Sequence, residues 1–400
     1  MLYSVSAFEN TSMSDKRTPL VFALILGAVA LLTAVYYAPI WWVSLTAPNY
    51  PVEAFPDGVR IHFHMNGVFN GCEKTEKTEI QEDEALDCVH EMDTINHYVG
   101  MYPIAAGGVV ERAFAPFLIA MLAVMLVGFA CTKTKVRLGL MGVGFAAVVA
   151  WMYFTYYTTE GLRFQSEGYV SALVTALDQD AGQEAGKDLT PAQALIARMK
   201  AELGQETEQA PAAGAQAGAA DKGDLLESLR ITYEKDQERR PAQERVAWEG
   251  SGSQMLEWHY AKSLGRYFNN PDEIVPMVSA MGMVAHAFFG LIVIAMIVLL
   301  WGARSMRGPL YWLLVLVPMA LPLFFIIDYS AWLWWYGHSL NDMGAFTVKP
   351  FMPTVFGDGK VAQFSTHSYP SWGFGLMLLT SALLALAALL RRKQMRDELG

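Results

Sequence analysis

Residues 274–301 read IVPMVSAMGMVAHAFFGLIVIAMIVLLW, a run of 28 residues that contains no Asp, Glu, Lys or Arg. About 20 such residues are enough for an α-helix to cross the hydrocarbon core of a bilayer. Similar apolar runs occupy 20–43, 113–131, 136–157, 309–335 and 372–390. The sequence therefore predicts an all-α polytopic membrane protein with six transmembrane helices.

Composition supports this class and the basic residues set the orientation. Charged residues make up 17% of the chain, against about 25% in soluble domains. Loops rich in Lys and Arg stay in the cytoplasm, and the basic clusters lie at 16–17, 133–137, 304–307 and 391–396. Both termini, 1–19 and 391–400, are therefore predicted to be cytoplasmic in a bacterial inner membrane. The segments 44–112, 158–273 and 336–371 are then exported to the periplasm.

The first apolar run is predicted to be an uncleaved anchor. No small-x-small cleavage site precedes Trp41-Trp42, and two tryptophans at that point are typical of a membrane-interface belt. Translation from Met1 or from Met13 gives the same anchor.

The first exported segment is predicted to fold as a small α+β domain. Residues 59–66 alternate with period two, so Val59, Ile61, Phe63 and Met65 should face inward and Arg60, His62, His64 and Asn66 outward. Asp93 is predicted to cap a short helix with Ile95, Tyr98 and Val99 on its apolar face. Cys72 and Cys88 are predicted to form a disulfide in the oxidising compartment, while Cys131 ends the second span.

The other exported segments differ in character. In the second, Thr190-Pro191 predicts the start of a helix to about 203, residues 204–223 a flexible insertion, and 223–238 a further helix. Residues 253–270 are predicted to form an amphipathic interfacial helix with Met255, Trp258, Tyr260 and Tyr267. The third, 336–371, holds too many large apolar residues for a linker and is predicted to be a structured loop.

Histidine and methionine patterns in the first domain predict a metal site. Period two points His62 and His64 the same way along one strand. His90, His97 and Met101 form one helical stripe if the helix extends that far. Imidazole and thioether ligands together favour copper, especially Cu(I). The alternative is that these side chains are solvated and bind nothing.

Four more polar residues are functional candidates by position. His286 and Asp328 lie inside predicted spans, where ionisable groups are costly, and adjacent antiparallel spans would bring them near one another. Asp328 alternatively caps the interruption near Pro318 and Pro322, or bonds backbone amides of the third exported segment. His338 and His367 would join the first-domain histidines if the exported segments converge.

Several activities are excluded by missing motifs. His90-Glu91-Met92-Asp93-Thr94 lacks the second histidine of the zinc-protease helix, and Gly182–Lys187 is one residue short of a P-loop. No CxxCH sequence and only one histidine within the spans argue against haem. We therefore expect no catalytic residue, no haem, no nucleotide and no nucleic-acid partner.

Two short motifs carry a resemblance. Ala47-Pro48-Asn49-Tyr50-Pro51 and the segment DTINHYVGM at 93–101 resemble the APxYP and INxxNHYIGM-like segments of a polytopic membrane family. That family is associated with gene clusters for maturation of the copper enzyme nitrous oxide reductase. Tyr336-Gly337-His338 and Pro350-Phe351-Met352-Pro353 fit the same pattern. The cysteine-containing stretch 70–88 and the insertion 204–223 depart from it.

The resemblance and the histidines together suggest a non-enzymatic membrane accessory protein that handles or positions copper for a periplasmic or membrane metalloenzyme. Lipids and other membrane or periplasmic subunits would be its partners. The alternative is a structural subunit of a larger membrane complex without a metal of its own. A transporter would need paired discontinuous helices, and only the Pro318 and Pro322 region hints at one.

Overall fold

The computed structural model describes residues 3–48, 50–73, 86–187, 222–345, 348–361 and 363–397. The α-helices of these ranges are α1 (Tyr3–Tyr37), α2 (Cys88–Tyr98), α3 (Val109–Ala130), α4 (Thr134–Tyr157), α5 (Glu167–Lys187), α6 (Lys222–Glu238), α7 (Gly252–Gly265), α8 (Pro271–Gly302), α9 (Pro309–Met319), α10 (Leu321–His338) and α11 (Trp372–Asp397). The strands are β1 (Trp41–Thr46), β2 (Val59–His64), β3 (Gly67–Asn70), β4 (Gly357–Val361) and β5 (Phe364–Pro370).

Five helices of the described chain are long and apolar enough to cross a membrane, namely α1, α3, α4, α8 and α11. The pair α9 and α10 makes a sixth if it is counted as one span, although it bends by 63° between Met319 and Leu321. Pro318 and Pro322 flank the bend, and proline both removes a backbone hydrogen bond and clashes with the preceding turn. The predicted membrane class is confirmed, and the predicted span 309–335 is broken.

The first helix ends earlier than the apolar run predicts. Helix α1 stops at Tyr37, and the chain turns through Ala38-Pro39 into β1, where proline cannot continue a helix. Trp41 and Trp42 therefore belong to a strand, and Trp41 is buried. The predicted span 20–43 and its tryptophan belt are wrong at this end.

The five strands form one sheet of order β3-β2-β1-β5-β4, with every described pair antiparallel. Strand β1 follows α1, and β5 leads into α11. These two strands pair along their length, with Trp41 opposite Pro370 and Thr46 opposite Ser365. The first and third inter-span segments therefore share one sheet, and the segment predicted as a structured loop contains a β-hairpin.

The two faces of the sheet follow the predicted alternation. Val59 and Ile61 are buried on the inner face, next to Leu45 of β1. His62 lies on the outer face, where its register places it opposite Trp42. Strand β2 ends at His64, so Met65 lies in the turn to β3 and is not a strand residue as predicted.

The N-cap of helix α2 lies six residues before the predicted one. Asp87 is its N-cap and accepts hydrogen bonds from the amides of Val89 and His90, which leaves Asp93 in mid-helix. Asp93 is fully buried, accepts a 2.6 Å hydrogen bond from the Ile104 amide and pairs at 3.4 Å with Arg266. The predicted capping role of Asp93 is wrong, and its carboxylate instead joins the first and second inter-span segments.

The second inter-span segment is helical where the structure describes it. Helix α6 matches the predicted 223–238 helix closely. Helix α7 covers most of the predicted 253–270 helix, but Met255, Trp258 and Tyr260 are all buried in the main core, so these side chains are not exposed for contact with a membrane interface as predicted. The predicted helix 190–203 and the insertion at 204–221 lie outside the described residues.

Two buried arginines hold the helix ends together on the side away from the sheet. Arg137 donates to the carbonyl oxygens of Ala303 (2.7 Å) and Cys131 (3.1 Å), and Arg391 donates to Ala130 (2.7 Å). The C-terminus of a helix carries unpaired carbonyls and partial negative charge, which favours a cation there. The basic clusters of the sequence therefore share one end of the bundle.

We expect the disulfide to stabilise the sheet and α2. The Cys72 and Cys88 sulfur atoms lie at bonding distance, 16 residues apart in sequence, as predicted. A double substitution Cys72→Ser and Cys88→Ser should lower the free energy of unfolding by about 3 kcal/mol, since a loop of this size is no longer closed in the unfolded chain. Thermal unfolding of purified protein with and without reductant measures the loss. Cys131→Ser is the control, and equal stability of the double variant and that control would contradict the expectation.

The free energy of unfolding should also decrease as the pH falls below 6.5, because of His259. Burial, together with the nearby cations Arg112 and Arg266, lowers the pKa of His259 to about 3. Below pH 6.5 the unfolded chain takes up a proton that the folded protein refuses, so stability is complete above pH 6.5 and declines as the pH falls. At about pH 5 the loss should be about 2 kcal/mol.

Thermal unfolding at pH 7 and pH 5 tests this dependence through its slope. His259→Gln should flatten the pH dependence, whatever its effect on absolute stability. His338→Gln, at an exposed histidine, should leave the slope as in the parent protein. An unchanged slope in His259→Gln would show that other groups cause the acid sensitivity.

Candidate functional site

A cavity of about 380 Å³ lies between the inner face of the sheet and the helices α3, α10 and α11. The inner-face residues Val43, Ile61 and Phe63 form its roof. Leu118 of α3, Phe325 of α10 and Met377 of α11 form part of its walls. Its size is within the range of small-molecule sites in proteins, about 300–1,000 Å³.

The bend in the fifth span creates this space. Helix α10 leaves the axis of α9 at 63° and reaches the sheet, where Tyr329 lies against Trp41 and Phe63 with ring centroids 5.6 and 5.4 Å apart. Phe324 of this membrane helix lines the cavity and is 50% exposed. The cavity therefore reaches the lateral surface of the helices as well as the sheet.

Most of the lining is aliphatic, aromatic or thioether. The ionisable side chains that line the cavity are those of Glu111, Arg112, Asp328, His64, Tyr329 and Tyr336. The side chains of Glu111 and Asp328 are hydrogen-bonded to one another, and Oε1 of Glu111 accepts a 3.3 Å hydrogen bond from the Trp332 indole. Two carboxyl groups thus share the wall of an apolar cavity.

Arg112 does not neutralise these carboxyls by a salt bridge. Its guanidinium donates to the carbonyl oxygens of Gly108 (3.1 Å) and Ala105 (2.7 Å). The salt bridges of the described chain do not include Glu111 or Asp328. Oε2 of Glu111 is buried, and the carboxyl group of Glu111 hydrogen-bonds to the side chain of Asp328.

The predicted metal residues are distributed over both sides of the sheet. His62 and His64 follow the outer face, and only His64 reaches the cavity lining. Burial lowers the pKa of His62, and it lowers that of His64 to about 4, so both imidazoles are neutral near pH 7. A neutral imidazole is the form that binds a metal.

The other predicted ligands, His90, His97 and Met101, do not form one stripe on helix α2. It ends at Tyr98, so Met101 is not on a helical stripe with His90 and His97 as predicted. His97 stacks on Tyr267 with centroids 4.8 Å apart, which anchors the first segment to the second. Met101 is buried and lines the cavity.

The remaining candidates have separate neighbours. His286 does not meet Asp328 as predicted; its Nδ1 lies 2.9 Å from the Tyr157 hydroxyl. His338 donates from Nδ1 to the Trp334 carbonyl at 2.8 Å. His367 pairs with Asp358 at 2.6 Å. Hydrogen bonds from His367 and from Tyr369 lower the pKa of Asp358. Convergence of the first and third segments therefore does not gather the histidines.

Across the part of the chain that the structure describes, no three His, Cys, Asp or Glu side chains are arranged to hold a metal ion. Thioether ligands are a different set, and Met65, Met92, Met101 and Met377 all line the cavity with His64. Copper binding stays a prediction.

Sequence reasoning missed Glu111 and Trp332. Glu111 lies in the first turn of α3, at the boundary of the predicted second span, where an acidic residue is common and carries no signal by itself. Trp332 is one of several tryptophans in α10. Only the tertiary fold shows that both meet Asp328 in one cavity.

Comparisons with known proteins found no matching protein-family model, no matching curated protein and no matching solved structure.

Proposed function

We propose that this protein is a non-enzymatic inner-membrane accessory protein that binds the chain of an amphiphilic small molecule in the cavity between its sheet and its membrane helices. The observation that carries this proposal is an apolar cavity of ligand size whose wall reaches the lateral surface of the bundle at Phe324. A molecule dissolved in the bilayer can enter there without crossing water. The sheet would lie on the exported side, because the basic residues collect at the other end.

The lining suits an alkyl chain. Large apolar and thioether side chains supply dispersion contacts and offer an apolar chain few polar partners. Leu118 of α3, Phe325 of α10 and Met377 of α11 are such wall residues. Among the polar lining groups, Glu111 and Asp328 lie together, which is the arrangement expected where one end of a ligand is oriented.

Photolabelling in liposomes tests the proposal. A diazirine-labelled dodecanol should modify cavity residues, mapped by peptide mass spectrometry, in addition to residues on the lipid-facing surface. Leu118→Trp should reduce cavity labelling severalfold because the indole fills part of the space. Leu291→Trp, on an exposed face of α8, is the matched control. Absence of cavity labelling, or equal labelling in both variants, would overturn the proposal.

A second candidate is copper handling, which the motif resemblance suggests. The specific observation in its favour is that His64 and four methionine side chains line the same cavity, a set suited to Cu(I). This reading moves the predicted site away from His62, His90 and His97. The remaining alternative is that the protein is a structural subunit of a larger complex and that its cavity binds nothing.

Elemental analysis of copper-loaded protein tests this candidate. The double variant His64→Gln and Met101→Leu should lose near-stoichiometric copper, because both ligand types are removed from the cavity. His90→Gln, outside the cavity lining, should keep it. Copper retained by the double variant, or absent from the parent protein, would contradict a copper site here.

A further inference from the structure

A groove of about 600 Å³ lies between α4 and α8 and shares no lining residue with the cavity under the sheet. Its α8 wall is formed by Phe289, Val293, Met296 and Leu300, which recur every three or four positions and therefore lie on one face of the helix. At a rise of 1.5 Å per residue this stripe is about 17 Å long. That length is about half the thickness of the bilayer core, the depth of one leaflet.

Small residues on α4 keep this groove open. Gly142, Ala146 and Ala150 recur every four positions and all line it. Ala146 and Ala150 are exposed, and a side chain added at position 142 would meet no atom within 4 Å. The two helices therefore leave apolar space between them in the membrane part of the molecule, where a hydrocarbon chain gains dispersion contacts.

The end of the groove towards the second inter-span segment is polar. His286 precedes Phe289 by three positions on α8, and its Nδ1 lies 2.9 Å from the hydroxyl of Tyr157, the last residue of α4. A neutral imidazole and a phenol carry one N–H and one O–H, and their mutual bond uses one of these hydrogens in either tautomer. His286 is exposed and makes no other hydrogen bond in the described chain. One donor hydrogen of the pair is therefore left for a ligand.

A carboxylate lies one helical turn further from the stripe. The Glu257 side chain of α7 fills the space beside Gly282 of α8, and positions 282 and 286 are neighbours on one helix face, about 6 Å apart. Glu257 is exposed and belongs to none of the salt bridges of the described chain. Beyond its apolar length, the groove thus offers first a hydrogen-bond donor and then a negative charge.

We propose that this groove binds a phospholipid with a phosphoethanolamine head group, a site that does not depend on the proposed function. One acyl chain lies along α4 and α8, the His286 and Tyr157 pair donates its free hydrogen to a phosphate oxygen, and the ammonium group contacts Glu257. Only two carbons separate the phosphate oxygen from the nitrogen in this head, which fits the single helical turn between the two contacts. A phosphocholine head has no N–H donor for the carboxylate, and a phosphoglycerol head has no positive charge.

The same groove could instead hold a transmembrane helix of another subunit, because small residues at every fourth position let helices approach closely. The length of the groove favours the lipid. A spanning helix crosses the whole core of about 30 Å, whereas the apolar stripe of α8 covers about half of it. The donor and the carboxylate at one end only are also the order of groups along a lipid molecule.

Native mass spectrometry of delipidated protein in detergent tests the head group. The protein is titrated with dioleoyl phosphatidylethanolamine, phosphatidylcholine or phosphatidylglycerol. The phosphatidylethanolamine should bind about tenfold more tightly than either of the others. Glu257→Gln should reduce its affinity to that of phosphatidylcholine, because the charge that binds the ammonium group is lost. Asp272→Asn, at an exposed carboxylate in the first turn of α8, should behave as the parent protein.

Two further variants test the rest of the site. The double variant His286→Phe and Tyr157→Phe keeps both rings but removes the donor, so all three lipids should bind severalfold more weakly. Gly142→Leu should weaken all three as well, because its side chain fills the groove. Gly139→Leu is the matched control, since position 139 of α4 also faces open space but does not line the groove.

Each part of the proposal can fail separately. Equal affinity of the parent protein for the three lipids, or a preference that Glu257→Gln leaves intact, would overturn the head group. Equal lipid binding by Gly142→Leu and Gly139→Leu would overturn the groove as the site. A protein dimer that dissociates in Gly142→Leu, with lipid binding unchanged, would identify a helix as the occupant instead. The cavity labelling by the diazirine-labelled dodecanol is a separate readout, so these failures leave the proposed function intact.

Discussion

The backbone pairing of β1 with β5 is the constraint on which the rest of the structure depends. Strand β1 follows α1 after a short turn, and β5 leads directly into α11. The Trp41 indole donates to the Ser368 hydroxyl at 2.9 Å across this pair. Because the strands extend two neighbouring helices, the sheet cannot tilt without moving those helices. The roof over the cavity is therefore fixed to the membrane part of the molecule by covalent chain and by hydrogen bonds.

The second determinant is the break between α9 and α10. A straight fifth span would pack against its neighbours and close the space that α10 leaves between itself and α3. Prolines on both sides of Ala320 prevent this, and Tyr329 then secures α10 to the sheet through its contacts with Trp41 and Ser368. The 63° bend is thus held at both ends, by proline geometry below and by aromatic packing above. The cavity is a product of rigid elements, which keeps its carboxyl wall in a defined place.

Sequence patterns predicted the parts of this fold that depend on local chemistry. The membrane class, the α6 helix, the Cys72 and Cys88 pair and the alternation of β2 all follow from composition or periodicity over a few residues. Hydropathy does not distinguish a strand from a helix. The predicted first span therefore ran past Trp41, although Pro39 indicates the end of the helix. Asp87 and Asp93 are both suitable N-cap residues for α2. Only the tertiary packing shows that Asp93 is buried in the core instead. The meeting of Glu111 with Asp328 depends on contacts between distant spans, which one sequence does not reveal.

The pairing of Trp41 with Ser368 joins residues 327 positions apart, and this separation has a consequence for synthesis. Strand β1 leaves the ribosome early, whereas its partner is among the last segments made. Until then β1 has a neighbour on one edge only, and an unpaired strand edge invites association with other chains. During this interval the nascent protein also lacks Phe364, Thr366 and Met377, which line the cavity. The lining of the cavity is therefore completed only when the last span of the described chain has been made.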